Sequence, residues 1–493
     1  MDATTSAALR AGRFPTEIVV AILCLGSFSG ALMQSLVIPI QAELPQLLGT
    51  SAGNASWAVT ATLLAAAVTM PVTGRLADLY GKKVVLCASA AVLAVGSLVA
   101  AVAGGLPLFL IGRALQGMAM GYIPVAISMV REVSPPQKQA GAVATVSATM
   151  GVGGAIGLPL AAWITEQFSW HGLFWMSTGL AIVVFALTAL IVPHVRDAHP
   201  AHIDVPGIIG LAAGLIAFLV GISKGSEWGW SSATTIGSIV GGILILILWG
   251  AFELRQSDPI VDLRSTANRP VLFTNLAAVA IGFGMMAQMI VVPQLLEMPE
   301  ITGYGLGQSI LAAGLWMAPG GLMMMVFAPV SSRLMNSIGA RITLAIGAVV
   351  LSCGYLVGLF LMSAPWQLML ATLVCSAGVG IGYAAMPTLV MDNVPSSESG
   401  SAVGVNGLMR SVGTTIAGAV MAAILTSQTV ALVPGTPEIP THDAFKLCFL
   451  VGAAAALLGA GLALCVSRAK TKTASLADAG EPSQAGEPEP ARS

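Results

Sequence analysis

Apolar runs of about twenty residues recur from Ile18 to Val466, each closed by a short polar or Gly/Pro-rich break. A bilayer core about 30 Å thick is crossed by about twenty apolar residues in an α-helix. The runs are continuous and do not alternate, which excludes an outer-membrane barrel. Run length and breaker positions together predict fourteen helices, at roughly 18–40, 57–79, 84–103, 107–130, 140–163, 172–193, 206–223, 234–252, 270–292, 307–329, 342–362, 366–390, 401–425 and 444–466. In hydrocarbon each helix must satisfy its own backbone amides. The expected fold class is an all-α polytopic membrane protein with fourteen transmembrane helices.

Composition agrees with this pattern. Of 493 residues, 56% are apolar and 9% charged, and the mean hydropathy is +0.88, whereas soluble domains are about one quarter charged. A net charge of −1 leaves no basic surface for nucleic acid. The absence of a GxxxxGK[ST] phosphate loop leaves energy to come from outside the chain, such as an ion gradient. No metal or cofactor is expected, because His171, His194, His199, His202 and His442 all lie in loops. Cys24, Cys87, Cys353, Cys375, Cys448 and Cys465 read as buried apolar filler. Arg10 and Arg13 imitate the charged start of a signal peptide, but the apolar stretch behind them, about 22 residues, is too long for one and is read as a retained first helix. With no midplane His, Asp or Glu cluster, an enzyme is not expected. The longest loops, near 253–269 and 426–443, are too short for a signalling domain.

Orientation follows from Lys and Arg. With the N-terminus in the cytoplasm, 17 of 21 fall on the cytoplasmic side, Lys224 and Lys446 fall outside, and Arg113 and Arg410 lie within helices. Both termini are therefore expected in the cytoplasm, in a multi-pass protein of the cell (plasma or inner) membrane.

Between the second and third helices the chain reads Gly74-Arg75-Leu-Ala-Asp78-Leu-Tyr-Gly81-Lys82-Lys83. The spacing returns 258 residues later as Ser332, Asn336, Gly339 and Arg341. The recurrence argues for internal duplication. The expected organisation is a cytoplasmic N-terminus (1–17), an N-terminal six-helix bundle (18–193), a two-helix insert with its linkers (194–269), a C-terminal six-helix bundle (270–466) and a disordered cytoplasmic tail (467–493). The loop is read as a conformational latch, in which Asp78 accepts from a neighbouring helix end or Arg; the alternative is a tight positive-inside loop without a switching role. The segment 253–269 is expected to form a short interfacial helix.

The loop from Gly74 to Lys83 resembles the cytoplasmic motif of the major facilitator superfamily. Arg113-Ala-Leu-Gln116-Gly117 is similar to the RxxQG motif of its proton-coupled antiporters. Fourteen spans point to the drug:proton antiporter branch of multidrug efflux type. The resemblance implies two six-helix bundles in the major facilitator fold and ties Arg113 to proton transfer. In the fifth helix, Gly153, Gly154, Gly157 and Pro159 are similar to an antiporter packing motif, here with leucine between glycine and proline. That branch places an aspartate midway along the first helix, where this chain has Gln34. An amide cannot hold or release a proton.

Helical spacing puts Arg113, Gln116, Gly117, Met120 and Pro124 on one face and Gly30, Gln34, Val37 and Gln41 on another, both expected to line a central cavity. Arg113 is otherwise a packing residue that satisfies backbone carbonyls. Asn406 and Arg410 share a face of the thirteenth helix, facing the cavity or pinning carbonyls. Gln288 and Trp316 are the candidates for a soft, Met-rich lining. A cavity whose fixed charges are two arginines disfavours dications and favours neutral or anionic amphiphiles. The expected function is a monomeric secondary transporter in the lipid bilayer that exports small amphipathic compounds by alternating access, coupled to protons. The alternative is an importer, uniporter or exchanger of a small anionic metabolite.

Overall fold

The computed structural model describes residues 14–38, 40, 41, 43–194, 202–431 and 438–466. The expected tail at 467–493 and all but the end of the N-terminal segment 1–17 lie outside the described residues. Among the described residues fourteen helices are long and apolar enough to span a membrane, as the apolar runs require, and the protein is a multi-pass membrane protein. We label them α1 (Thr16–Ser35), α2 (Ala52–Tyr80), α3 (Lys82–Ala101), α4 (Leu106–Val133), α5 (Pro136–Gln167), α6 (His171–Ile191) and α7 (Val205–Trp228). The remainder are α8 (Ala233–Glu253), α9 (Arg269–Glu297), α10 (Ile310–Ile338), α11 (Ala340–Phe360), α12 (Pro365–Asp392), α13 (Ser399–Ser427) and α14 (His442–Cys465).

Local chemistry sets many of the ends. The side chains of Ser51, Ser232, Ser309 and Thr441 accept from the first-turn amides of α2, α8, α10 and α14, which satisfies donors that a helix cannot pair internally. Gly81 joins α2 to α3 at φ +95°, and Gly339 joins α10 to α11 at φ +86°. A side chain is penalised at that backbone angle, so the repeated glycine has a repeated geometric cause. Two long helices are interrupted: α4 by a 3-10 turn at Ala119–Gly121, and α12 between Gly382 and Ala385.

Helices α1–α6 form one bundle and α9–α14 a second. They meet along two seams, α2 against α13 and α5 against α10. The duplication relates α2 to α10 and α5 to α13, so the seams are counterparts. The insert breaks this symmetry. Its helix α7 lies on both α2 and α13, where Leu211, Leu215 and Leu219 pack with Leu64, Ala67, Val405 and Leu408. Helix α8 packs on α7 and turns Ile243, Leu244, Ile247 and Leu248 outward, as a lipid-facing helix should.

Three expectations change. Helix α1 stops at Ser35 rather than near residue 40, its ladder ending with the Leu36 amide on Leu32 while the Ile38 amide turns back to Ser35 in a tighter turn. The segment 253–269 is not an interfacial amphipathic helix: only Leu263–Ala267 is helical, and Ile260 and Val261 are buried in the α2/α7/α13 cluster. Of the six cysteines only Cys375 and Cys448 are buried, while Cys353 and Cys465 are exposed on outward faces.

Candidate functional site

At the end of the bundles where α2 meets α3, hereafter the latch end, Asp78 reaches across the α2/α13 seam. Its Oδ1 accepts from the Gly400 amide at 3.0 Å and its Oδ2 from the Ser401 amide at 2.8 Å. These amides open α13, where a helix carries unsatisfied donors and the positive end of its dipole. A buried carboxylate placed there is stabilised by charge-assisted bonds of about 1.5–3 kcal/mol each. The contact needs close backbones: a Cβ on Gly74 would lie 2.7 Å from the carbonyl carbon of Gly400 and 3.0 Å from Cα of Ser401.

Further bonds surround this one. Lys82 pairs with Glu132 of its own bundle and donates to Ser399 Oγ at 3.3 Å in the other. Ser128 and Ser399 share a hydroxyl bond of 2.9 Å. Arg131 forms a partly exposed ion pair with Asp392, 3.3 Å across the bundles, the kind of pair worth at most about 1 kcal/mol. Arg75 leaves Nε buried without a partner, and Lys83 is half-buried. The structure therefore gathers Gly74, Asp78 and Lys82 at one inter-bundle contact, with Gly81 supplying the turn beside it.

The second copy of the loop does less. Gly339 repeats the backbone turn of Gly81, but Asn336 is exposed and Arg341 donates to the Leu464 carbonyl within its own bundle. Asn336 and Arg341 instead line a cleft of about 670 Å³ with Pro136, Gln139 and Asp392. The counterpart of the α13 start is the start of α5, where Pro136 has no amide hydrogen to donate.

Arg113 does not face an open cavity. It is buried between α1, α2 and α4, donating to the Ala58 carbonyl at 3.1 Å, the Met33 carbonyl at 3.3 Å and Gln116 Oε1 at 2.7 Å. The Met33 bond has a local cause. Where α1 ends, the bonds run from Leu36 to Leu32 and from Ile38 to Ser35, which leaves the Met33 carbonyl outside the ladder for the guanidinium to cap. Gln116 passes the network on to Ser97 Oγ at 3.0 Å. Gly117 lets α4 approach the backbone of α2 at Thr62.

Gln34 is half-buried, and among the described residues its amide has no protein hydrogen bond. Gln41 does not share its face: it lies beyond the end of α1 and is exposed. Gly153 and Gly157 pack against α1, and Ser35 Oγ donates to the Gly153 carbonyl at 3.3 Å. Gly154 faces the end of Met289, 4.0 Å from where its Cβ would stand. The inter-bundle contact of α5 is made by Gly151 against Met324 and by Pro159 against Gly314.

In the second bundle Arg410 stacks over the Tyr383 ring at 4.7 Å. Tyr383 sits at the break in α12, and its hydroxyl meets Met150 Sδ of the other bundle at 3.0 Å. Asn406 donates to Asn275 Oδ1 at 2.9 Å. Arg410 thus rests on an aromatic face and does not pin carbonyls. Gln288 is buried, and Trp316 donates to Gln308 at 3.1 Å.

Sequence reasoning missed Tyr383, whose signal was a tyrosine set among Gly378, Gly380 and Gly382. It also missed Lys224. That residue is buried, bonds to the Gly53 carbonyl at 3.1 Å, Ser56 and Glu227 at 2.8 Å, and lies 4.9 Å from the Trp57 ring centre, tying α7 to α2.

The family model described as Major Facilitator Superfamily matches residues 23–418 and again 274–485. An uncharacterised MFS-type transporter of Bacillus subtilis, YcnB, is 24% identical over 90% of this chain and 94% of its own length. The multidrug transporter protein MdtP of the same organism is 23% identical over 81% of this chain and 75% of its own. Its lincomycin resistance protein LmrB is 26% identical over 67% and 68% respectively. Among solved structures, the human organic anion transporter MFSD10 (TETRAN) has the same fold, with a TM-score of 0.65 at 16% identity over 92% of this chain and all of its own. With its duplicated bundles and fourteen spans, the chain belongs to the Major Facilitator Superfamily of membrane transporters, in a branch of multidrug type.

Proposed function

We propose that the protein exports small amphipathic compounds across the cell membrane by alternating access, in exchange for protons, with both termini and the latch end in the cytoplasm. The observation that carries this reading is the Asp78 carboxylate seated on the Gly400 and Ser401 amides. A charge on a helix end is strong enough to hold two bundles together and local enough to be given up in one rocking motion. No cofactor beyond the proton gradient enters the reading, and the working unit is one chain.

Arg113 spends its charge on two carbonyls and Gln116 inside the first bundle, so of the two arginines set deep within the spans Arg410 is the one whose charge bears on the interior. Together with the amide at Gln34, this favours neutral or anionic amphiphiles over dications. It also supports a second reading, an importer, uniporter or exchanger of a small anionic metabolite. Inside-out proteoliposomes with an acid interior, challenged with cationic, neutral and anionic amphiphiles, separate the two. Substrate-triggered proton efflux is the expected result, while uptake indifferent to the gradient would give the lead to the second reading.

A further inference from the structure

Asp204 and Glu253 stand at the two latch-end termini of the insert. Asp204 Oδ1 caps α7 by accepting from the Gly207 amide at 2.9 Å, and Glu253 Oε1 accepts from the Val261 amide at 2.9 Å. The other oxygen of each, Asp204 Oδ2 and Glu253 Oε2, is buried without a hydrogen-bond partner among the described residues. The two converge: a Cβ on Gly207 would stand close to Asp204 Oδ2 and 2.8 Å from Glu253 Oε2. Glu253 is only 2% exposed.

Two facing carboxylates cannot both be ionised in a buried site without a cation between them. The charged groups of this latch-end region among the described residues are Arg75, Asp78, Asp258, Asp262 and Glu398, which line one cleft, with Arg255 and Arg264 in the linker and His202 two positions ahead of Asp204. Among the described residues none forms an ion pair with either acid. Asp78 is taken up by α13, and Asp262 and Arg264 by the linker's own backbone. One hydrogen satisfies both orphaned oxygens. Its place follows from the helix dipoles: an anion is favoured at the N-terminus of α7 and disfavoured at the C-terminus of α8, so Glu253 carries the proton and donates it to Asp204.

We propose that Asp204 and Glu253 form a proton-binding site of the insert that sets how firmly the Asp78 latch is held. The path is continuous. Glu253 holds Val261, the neighbouring Ile260 carbonyl accepts from Ser401 Oγ at 3.1 Å, and the Ser401 amide donates to Asp78. When the proton leaves, two anions face each other, the Ile260–Val261 turn is pushed from its seat, and Ser401 loses a bond that holds it under Asp78. The site is open to control by cytoplasmic pH whatever the transported compound, so its failure would not touch the transport reading.

The test is hydrogen–deuterium exchange of the full chain in lipid nanodiscs, scaled for intrinsic pH dependence, following amides 258–263 and 399–403 with α14 as reference. Wild type is expected to exchange on the order of tenfold faster in these segments at about pH 8 than at about pH 5, one pKa unit of coupling being a factor of ten. Glu253→Gln keeps both bonds without a titrating proton and is expected to stay at the low-pH level throughout. A flat wild-type profile overturns the proposal, as does an unaltered response in the variant. Protection restored at high pH by sodium or magnesium would also overturn it, in favour of a cation site. Should Glu253→Gln fail to fold, Asp204→Asn, whose amide donates to the Glu253 carboxylate, is expected to abolish the loss of protection at high pH, and a loss of wild-type size would overturn the proposal.

Discussion

Asp78 and Ser401 lie 323 positions apart in the chain and are joined by a 2.8 Å bond from the amide of one to the carboxylate of the other. Asp78→Asn keeps the shape but removes the charge and turns an NH₂ group toward amides that need an acceptor. At about 1.5–3 kcal/mol per charge-assisted bond, transport is expected to fall by at least tenfold. Amide exchange at Gly400 and Ser401 should rise in parallel, and normal exchange there would show that the latch does not depend on this carboxylate.

Gly74 faces the Gly400 backbone, which has no side chain to swing aside. Gly74→Ala adds one methyl to that contact, and overpacking of this kind costs about 1–3 kcal/mol. Transport should drop severely while helix content by circular dichroism stays at the wild-type level. Gly154→Ala, whose new methyl meets only the tip of Met289, is expected to be close to neutral in both measurements.

Arg113 acts through the frayed end of α1. Arg113→Met removes three donated bonds to buried acceptors, each worth about 1.5–3 kcal/mol when the donor is charged. Thermal unfolding in detergent should shift down by many degrees. Retained melting temperature with lost transport would instead assign Arg113 to proton transfer.

Gln34 occupies the place where the resembled branch carries an aspartate. Gln34→Asp is expected to confer proton-dependent uptake of lipophilic cations into inside-out vesicles. No change in any transported substrate would remove Gln34 from the cavity lining.

All fourteen spans were legible in the sequence, because in hydrocarbon the length of an apolar run nearly determines the helix. The recurrence of the loop was legible, and its two glycines share a backbone angle. Asp78 could be read as an acceptor from a helix end, but which end could not, since no local pattern says that α13 abuts α2. Arg113 shows a harder limit. Its helical face was visible, yet its direction depends on the Met33 carbonyl, freed where α1 ends and 80 positions away in the chain. The face that Arg410 shares with Asn406 was legible, but no local pattern says that it meets Tyr383 at the break in α12.

Of the two seams along which the bundles meet, α7 roofs only the one between α2 and α13. In this arrangement a compound dissolved in the lipid meets α7 on that flank, held to α2 by Lys224. Among the described residues the opposite flank, between α5 and α10, has no such cover. The two added helices thus give the two-bundle fold a front and a back.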